Sequence, residues 1–174
     1  MKGVLKTLLL LFTVTFLITG CTDTQSTDED GNKKREFSIT ETATVNDTDI
    51  KINSVEKIEK ECSWEFEGVC QSYNEPENDY FLLIDLTIEN NGEEDLAISS
   101  LLTFDLKNSE GEKGNYAMLT NSINSQLDGS IMPGDLLKGQ IAYDVKESEA
   151  FNFYYQDSLL DDNIKFIINK DDIK

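Results

Sequence analysis

Between Tyr80 and Asn90 apolar and polar residues alternate with a period of two. Leu82, Ile84, Leu86 and Ile88 fall on one side, and Asp85, Thr87 and Glu89 on the other. Successive side chains of an extended strand point to opposite faces, so this pattern describes a strand with one buried face and one wet face. On a helix the four aliphatics would be scattered around the axis. The run ends at Asn90-Asn91-Gly92, residue types that tolerate the positive φ of a tight turn.

Shorter runs of the same kind fill the rest of the chain. Phe37-Ser38-Ile39 alternates, and Ile50, Ile52 and Val55 follow an Asn46-Asp47 turn. Leu96 to Leu106 is apolar again, with Phe104 and Leu106 in step. Gly111 marks a turn before Tyr116, Met118 and Leu119, and Pro133-Gly134 marks another. Ile141, Tyr143 and Val145 then alternate with Gln140, Ala142 and Asp144. Phe151–Tyr155 and Ile164–Ile168 supply two final strands. No window keeps a helical period, although Leu159-Leu160 suits a short helical turn. Many short strands with regular turns predict an all-β chain folded as an antiparallel β-sandwich.

The N-terminus has a different composition. Lys2 and Lys6 precede an uncharged, mostly apolar run from Thr7 to Thr19, shorter than the roughly 20 apolar residues of a stable membrane span. Ile18-Thr19-Gly20-Cys21 closes it and resembles the lipobox of bacterial lipoproteins. That resemblance implies a diacylglyceryl group, with palmitate-type acyl chains, on Cys21 and cleavage before it. The protein would then be lipid-anchored on the extracellular face of the cell membrane. An uncleaved N-terminal anchor is the alternative, and it too puts the domain outside the cytoplasm. Thr22–Arg35 has no apolar residue and cannot offset its ordering entropy by burial. The expected organisation is a signal peptide over 1–20, a lipidated flexible tether over 21–35, and one domain over 36–174.

Charge narrows the partners. The chain has 15 basic and 34 acidic residues, no histidine and a net charge of −19. Loss of residues 1–20 removes two lysines and no acid, giving −21. Such a surface repels nucleic acid, anionic lipid and anionic polymers, and it favours cationic partners.

Two segments carry a family resemblance. Tyr80-Phe-Leu-Leu-Ile-Asp-Leu-Thr-Ile-Glu-Asn-Asn-Gly is one, and Ile131-Met-Pro-Gly-Asp-Leu-Leu-Lys-Gly-Gln-Ile-Ala-Tyr-Asp-Val is the other; Leu96–Gly111 lies between them, ending in a Ser-Glu-Gly turn. They resemble a family of Gram-positive lipoproteins with a domain of unknown function. That domain is itself similar to the immunoglobulin-like fold of the mycobacterial immunoprotective extracellular antigen. The resemblance spans roughly residues 37 to 169 and implies an immunoglobulin-like sandwich on a surface protein. It brings no catalytic residues. Gly139 is expected to relieve crowding at a strand entrance, and Pro133 to pre-set a turn. The chain departs from the family pattern at Glu59–Asn78.

That departing segment holds the candidate site. Cys62 and Cys70 remain after lipidation, an even pair in an oxidising setting, and a disulfide is favoured over free thiols. It would close a nine-residue loop and contribute about 2.5 kcal/mol by loop entropy. Two thiolates without histidine make a poor metal site, and the spacing is not Cys-x-x-Cys. Trp64 and Phe66 lie in step with Cys62 if the segment is extended. Both rings are expected to plug the end of the sandwich beside the disulfide; the alternative is an aromatic anchor for a partner. Tyr73 and the acids Glu75, Glu77 and Asp79 read as solvated loop, with a cationic partner as the alternative.

No catalytic chemistry stands out. There is no histidine, no Gly-x-Ser-x-Gly and no phosphate loop, and in so acidic a chain nothing selects one carboxylate pair. Asp28–Asn32 fails as a calcium loop because Phe37 would occupy the position of the closing glutamate. Asp161-Asp162 and Asp171-Asp172 read as a charged turn and a frayed tail. The expectation is a non-enzymatic binding or adhesion module, without cofactor, for an unknown protein or small ligand. The alternative is an accessory or structural lipoprotein of a membrane complex, or a prophage-encoded surface protein.

Overall fold

The computed structural model describes Thr27, residues 33–156 and residues 163–174. The expected signal peptide, Cys21, most of the tether, the Asp28–Asn32 run, Leu159-Leu160 and Asp161-Asp162 lie outside the described residues.

The described residues form strands β1 (Glu36–Ser38), β2 (Thr42–Val45), β3 (Thr48–Ile58), β4 (Glu61–Phe66), β5 (Val69–Asn74), β6 (Tyr80–Asn90), β7 (Leu96–Ile98), β8 (Phe104–Asn108), β9 (Asn115–Ala117), β10 (Gly129–Ile131), β11 (Leu136–Val145), β12 (Ala150–Tyr155) and β13 (Ile164–Asn169). The helical element among them is a single 3-10 turn, Lys170–Asp172. A five-stranded sheet, β2-β3-β6-β11-β9, packs over a four-stranded sheet, β1-β13-β12-β8; β4-β5 and β7-β10 form two small ribbons. β1 runs parallel to β13, and the other strand pairs are antiparallel. The chain is an all-β sandwich.

The uneven spacing of Ile50, Ile52 and Val55 has a local cause. Opposite β6 the register runs Ile50↔Ile88 and Ile52↔Leu86, then shifts between Ile52 and Ser54 so that Val55 faces Ile84. This bulge inserts one residue and resets the pleat, so all three aliphatics are buried. Asn53 turns outward, and its amide donates to Asp85 Oδ1 at 2.5 Å and Thr87 Oγ1 at 3.0 Å. At the Asn46-Asp47 turn both residues have positive φ, 46° and 57°, as a two-residue hairpin turn requires.

Leu82, Ile84, Leu86 and Ile88 face a layer of rings from the opposite sheet, including Phe104, Phe151, Phe153 and Phe166. Phe104 stacks on Phe153 with centroids 5.4 Å apart, and Tyr143 meets Phe153 edge-on at 6.3 Å, joining the two sheets. The Tyr143 hydroxyl is buried without a hydrogen-bond partner among the described residues. Burial drives its ionisation far above the ordinary tyrosine range.

The outer face of β6 is not wet throughout, contrary to what its alternation implies. Phe81, Leu83 and Ala142 are buried there with Ala117 and Leu119. The chain after β9 crosses this face. Ser125 O accepts the Gln140 N–H at 2.7 Å, and Gln140 Oε1 accepts the Asn124 N–H at 2.9 Å. Gly139 pairs with Leu86 and so faces inward, where the same chain docks on the edge of β11 as it leaves the outer face: a Cβ there would stand 3.0 Å from the Ser125 and Gln126 carbonyl oxygens. Crowding at Gly139 thus comes from a second stretch of backbone. The apolar run from Leu96 to Leu106 also divides, into β7 and β8, and leaves Leu101 and Leu102 exposed in the turn between.

Two stability measurements check this account. Gly139→Ala should cost about 1–3 kcal/mol, because backbone must move to admit the methyl group; an unchanged denaturation midpoint would contradict this docking. Tyr143→Phe keeps the ring and deletes an unpaired hydroxyl, so its midpoint should hold or rise.

Candidate functional site

The β4-β5 hairpin joins the end of β3 to the start of β6. Its position follows from strand directions. Glu36 begins β1 beside Lys165, at the first end of β13. At the other end of β13, Lys170 pairs with Glu147 and Glu149, just beyond Val145, which lies opposite Tyr80. Ile58, the last residue of β3, lies opposite Phe81. The hairpin is therefore rooted at the far end of the sandwich from Glu36, where the N-terminal segment joins it. The run from Lys165 along β13 to Lys170 sets that separation at roughly 17 Å along the strand.

Within the hairpin Phe66 lies opposite Val69, Glu65 opposite Cys70, Trp64 opposite Ser72 and Cys62 opposite Tyr73, with two register shifts. Glu67 and Gly68 make the tip, at φ 51° and 78°. Cys62 and Cys70 are disulfide-bonded, their Cα atoms 5.7 Å apart. An isolated two-stranded ribbon is marginal in water, so this covalent closure and the anchors at its base carry much of its order.

Glu61 is the first anchor, 2 % exposed. Its Oε1 accepts the N–H groups of Asn121 at 2.6 Å and Ser122 at 2.7 Å, while the Asn121 amide donates to the Cys62 carbonyl. Burial pushes the Glu61 carboxyl up, but the N–H groups of Ser122, Asn121 and Thr120 outweigh it and hold the group below the ordinary carboxylate value. Asp144 is the second anchor. It accepts the N–H groups of Glu77 at 2.7 Å and Asn78 at 3.1 Å. Neither role has a sequence signal, since both residues look like ordinary members of an acidic chain. Asp79, read as a loop acid, accepts the Glu147 N–H at 2.8 Å and so caps a turn.

Trp64 and Phe66 do not plug the sandwich. They are 59 % and 57 % exposed, and Val69 and Tyr73 are 60 % and 47 % exposed. That end of the core is closed instead by Tyr80, Val145 and Phe151, and among the described residues no third layer covers the ribbon. Val69 escaped notice in the sequence because a lone valine after glycine carries no pattern. Lys60 Nζ stands 4.1 Å from the centroid of the Tyr73 ring. Beside the hairpin base Asn74, Glu75, Glu77, Tyr116, Met118 and Asp144 line an open hollow of about 430 Å³. No group of three or more Cys, Asp or Glu is placed to hold a metal ion among the described residues. Asp172, in the acidic tail, accepts the Asn169 N–H at 2.8 Å.

Residues 37–166 match the family described as Domain of unknown function (DUF4352). Solved structures share the fold at low identity. The yjhA protein of Bacillus subtilis is 18 % identical with a TM-score of 0.56, over 76 % of this chain and 98 % of that one. The ycdA protein of Bacillus subtilis, a candidate lipoprotein, is 17 % identical with a TM-score of 0.60 over 75 % of this chain, which spans 39 % of its length. MPT63, a secreted protein of Mycobacterium tuberculosis, is 12 % identical with a TM-score of 0.51, over 78 % and 97 %. No curated protein sequence matches the chain.

The Glu61 anchor makes the hairpin pH-sensitive. A carboxyl whose value is lowered on folding stabilises above its unfolded value, near 4.5, and loses that contribution as pH falls through the folded value. Amide protection in β4 and β5, corrected for the intrinsic pH dependence of exchange, should therefore fall below about pH 4.5 ahead of protection in β6. In Glu61→Gln this acid-induced step should vanish; its persistence would assign the effect to another group.

Proposed function

The chain belongs to the DUF4352 family, a domain of unknown function, and from that membership we propose that it is an extracellular, lipid-anchored, non-enzymatic binding module. Its recognition surface is the Cys62–Cys70 hairpin. The observation that carries this reading is that four large apolar side chains, Trp64, Phe66, Val69 and Tyr73, stand in solvent on one disulfide-closed ribbon. Ordering apolar surface in water is costly unless something covers it. Aromatic residues are also the side chains that most often anchor a protein contact.

Two further observations support the reading. A secreted protein and a candidate lipoprotein share the fold, which fits an extracellular address. The Cys21 lipid, a leader over 1–20 and a tether over 21–35 complete this proposal from the sequence. The fold is read as immunoglobulin-like from its strand order. With β3, β6, β8, β9, β11, β12 and β13 as strands A to G, one sheet runs A-B-E-D and the other C-F-G, the order of a constant-type immunoglobulin sandwich. Loops at an end of such a sandwich carry recognition; in variable domains these are B–C and F–G, whereas the hairpin is the A–B connection at the opposite end. With the lipid on Cys21, the hairpin end is the one that faces away from the membrane.

A photo-crosslinking residue at Val69, on cells displaying the full chain, tests the assignment. A discrete adduct should form, and Trp64→Ala with Phe66→Ala should abolish it while leaving the melting curve nearly unchanged, as expected for exposed positions. Collapse of the melting curve would return both rings to a packing role, and an undiminished adduct would move recognition off the hairpin.

A further inference from the structure

We infer that the hairpin takes a lysine- or arginine-bearing polypeptide segment as its ligand; this rests on the hairpin being the recognition surface. From Glu61 through Leu106 the chain has no lysine or arginine. Within that stretch Glu65 and Glu67 lie on the hairpin and Glu75 and Glu77 on the segment that leaves it, and all four are exposed. Some acids are answered by bases, Glu112 by Lys146, Asp105 by Lys113, Glu36 by Lys165, Glu147 and Glu149 by Lys170, whereas Glu93, Glu94 and Asp95, further along the same stretch, form no ion pair among the described residues. None of the four glutamates at the hairpin and its exit forms an ion pair among the described residues. The hairpin and its exit combine exposed rings with unneutralised carboxylates.

Other occupants meet a specific obstacle. A second copy of the chain would set two acidic, base-free ribbons against each other. Anionic lipid would be repelled in the same way. A purely apolar ligand would strip water from the neighbouring carboxylates without replacing it. A cationic segment avoids all three obstacles, since its charges meet the glutamates while its alkyl stems and guanidinium or ammonium groups lie on the rings. The fold already contains this contact in miniature: Lys60, next to the base-free stretch, places its ammonium over Tyr73.

Trp64 is the single tryptophan of the chain, so its emission reports the hairpin alone. Purified full-length protein should be titrated with a short peptide alternating lysine and leucine, and with its glutamate–leucine counterpart. The lysine peptide should shift Trp64 emission saturably, and the glutamate peptide should not. Raising the salt from about 0.05 to 0.5 M should weaken binding about tenfold. Glu65→Gln with Glu67→Gln should weaken it by a similar factor, and Glu93→Gln with Glu94→Gln, at the other end of the sandwich, should not. Equal loss in both pairs of variants means diffuse attraction to net charge and overturns the inference, as does an unchanged emission. If emission is unchanged but the Val69 crosslink still forms, the recognition surface stands and only the cationic ligand falls. If both fail, both fall.

Discussion

Strand β6 is buried on both faces along its first half, and the rest of the fold is arranged to make that possible. Its inner aliphatics pack against the rings of the opposite sheet, while Phe81 and Leu83 on the outer face are roofed by the chain that follows β9. Fully burying one such side chain is worth about 1.5–3 kcal/mol. Its backbone is paired on both sides, with β3 and with β11. The bulge at Asn53 keeps the neighbouring strand in phase with it, and Gly139 lets the chain that leaves the roof dock on the edge of β11. Because β6 can neither slip nor tilt without exposing one face, the segments at its two ends are placed with equal definition.

Those segments are held by short polar side chains that gather backbone groups. The Asn90 amide donates to the carbonyls of Glu94 and Ile131 at 2.7 and 2.8 Å, and its oxygen accepts the Gly92 N–H. Asn108 accepts from Glu110 and Glu112 in the same manner. Asp144 and Glu61 extend the device to buried charge, which is tolerable only when N–H dipoles replace the lost water. Together these two carboxylates grip the hairpin at its start and at its exit. The ribbon can therefore stand in solvent with its outer residues free of packing duties. Distance from Glu36 then sets which way it faces, and the absence of bases between Glu61 and Leu106 sets the sign of its field.

The alternation in β6 and β11, the turn residues at Asn46-Asp47 and the cysteine pair were legible because each signal is local: a pleat period, a positive φ, two cysteines closing a short loop. The all-β sandwich follows from them. The roof over Phe81 was not legible, because Leu119 and Ile123 carry no pattern that names the strand they cover. For the same reason Gly139 could be flagged as crowded without its neighbour being identified, and Glu61 and Asp144 could not be picked out from among 34 acids.

The amino-acid sequence by itself determined that the chain is built of strands, where they turn and how acidic the chain is, and it favoured a bond between Cys62 and Cys70 that the structure contains. These properties depend on residues within a few positions of one another and on composition. Only the tertiary structure decided that Trp64 and Phe66 face water, that the hairpin stands opposite the N-terminal segment, and which carboxylates are anchors. Exposure and placement depend on what the rest of the chain has already buried, and a local pattern carries no record of which distant segment arrives to cover it.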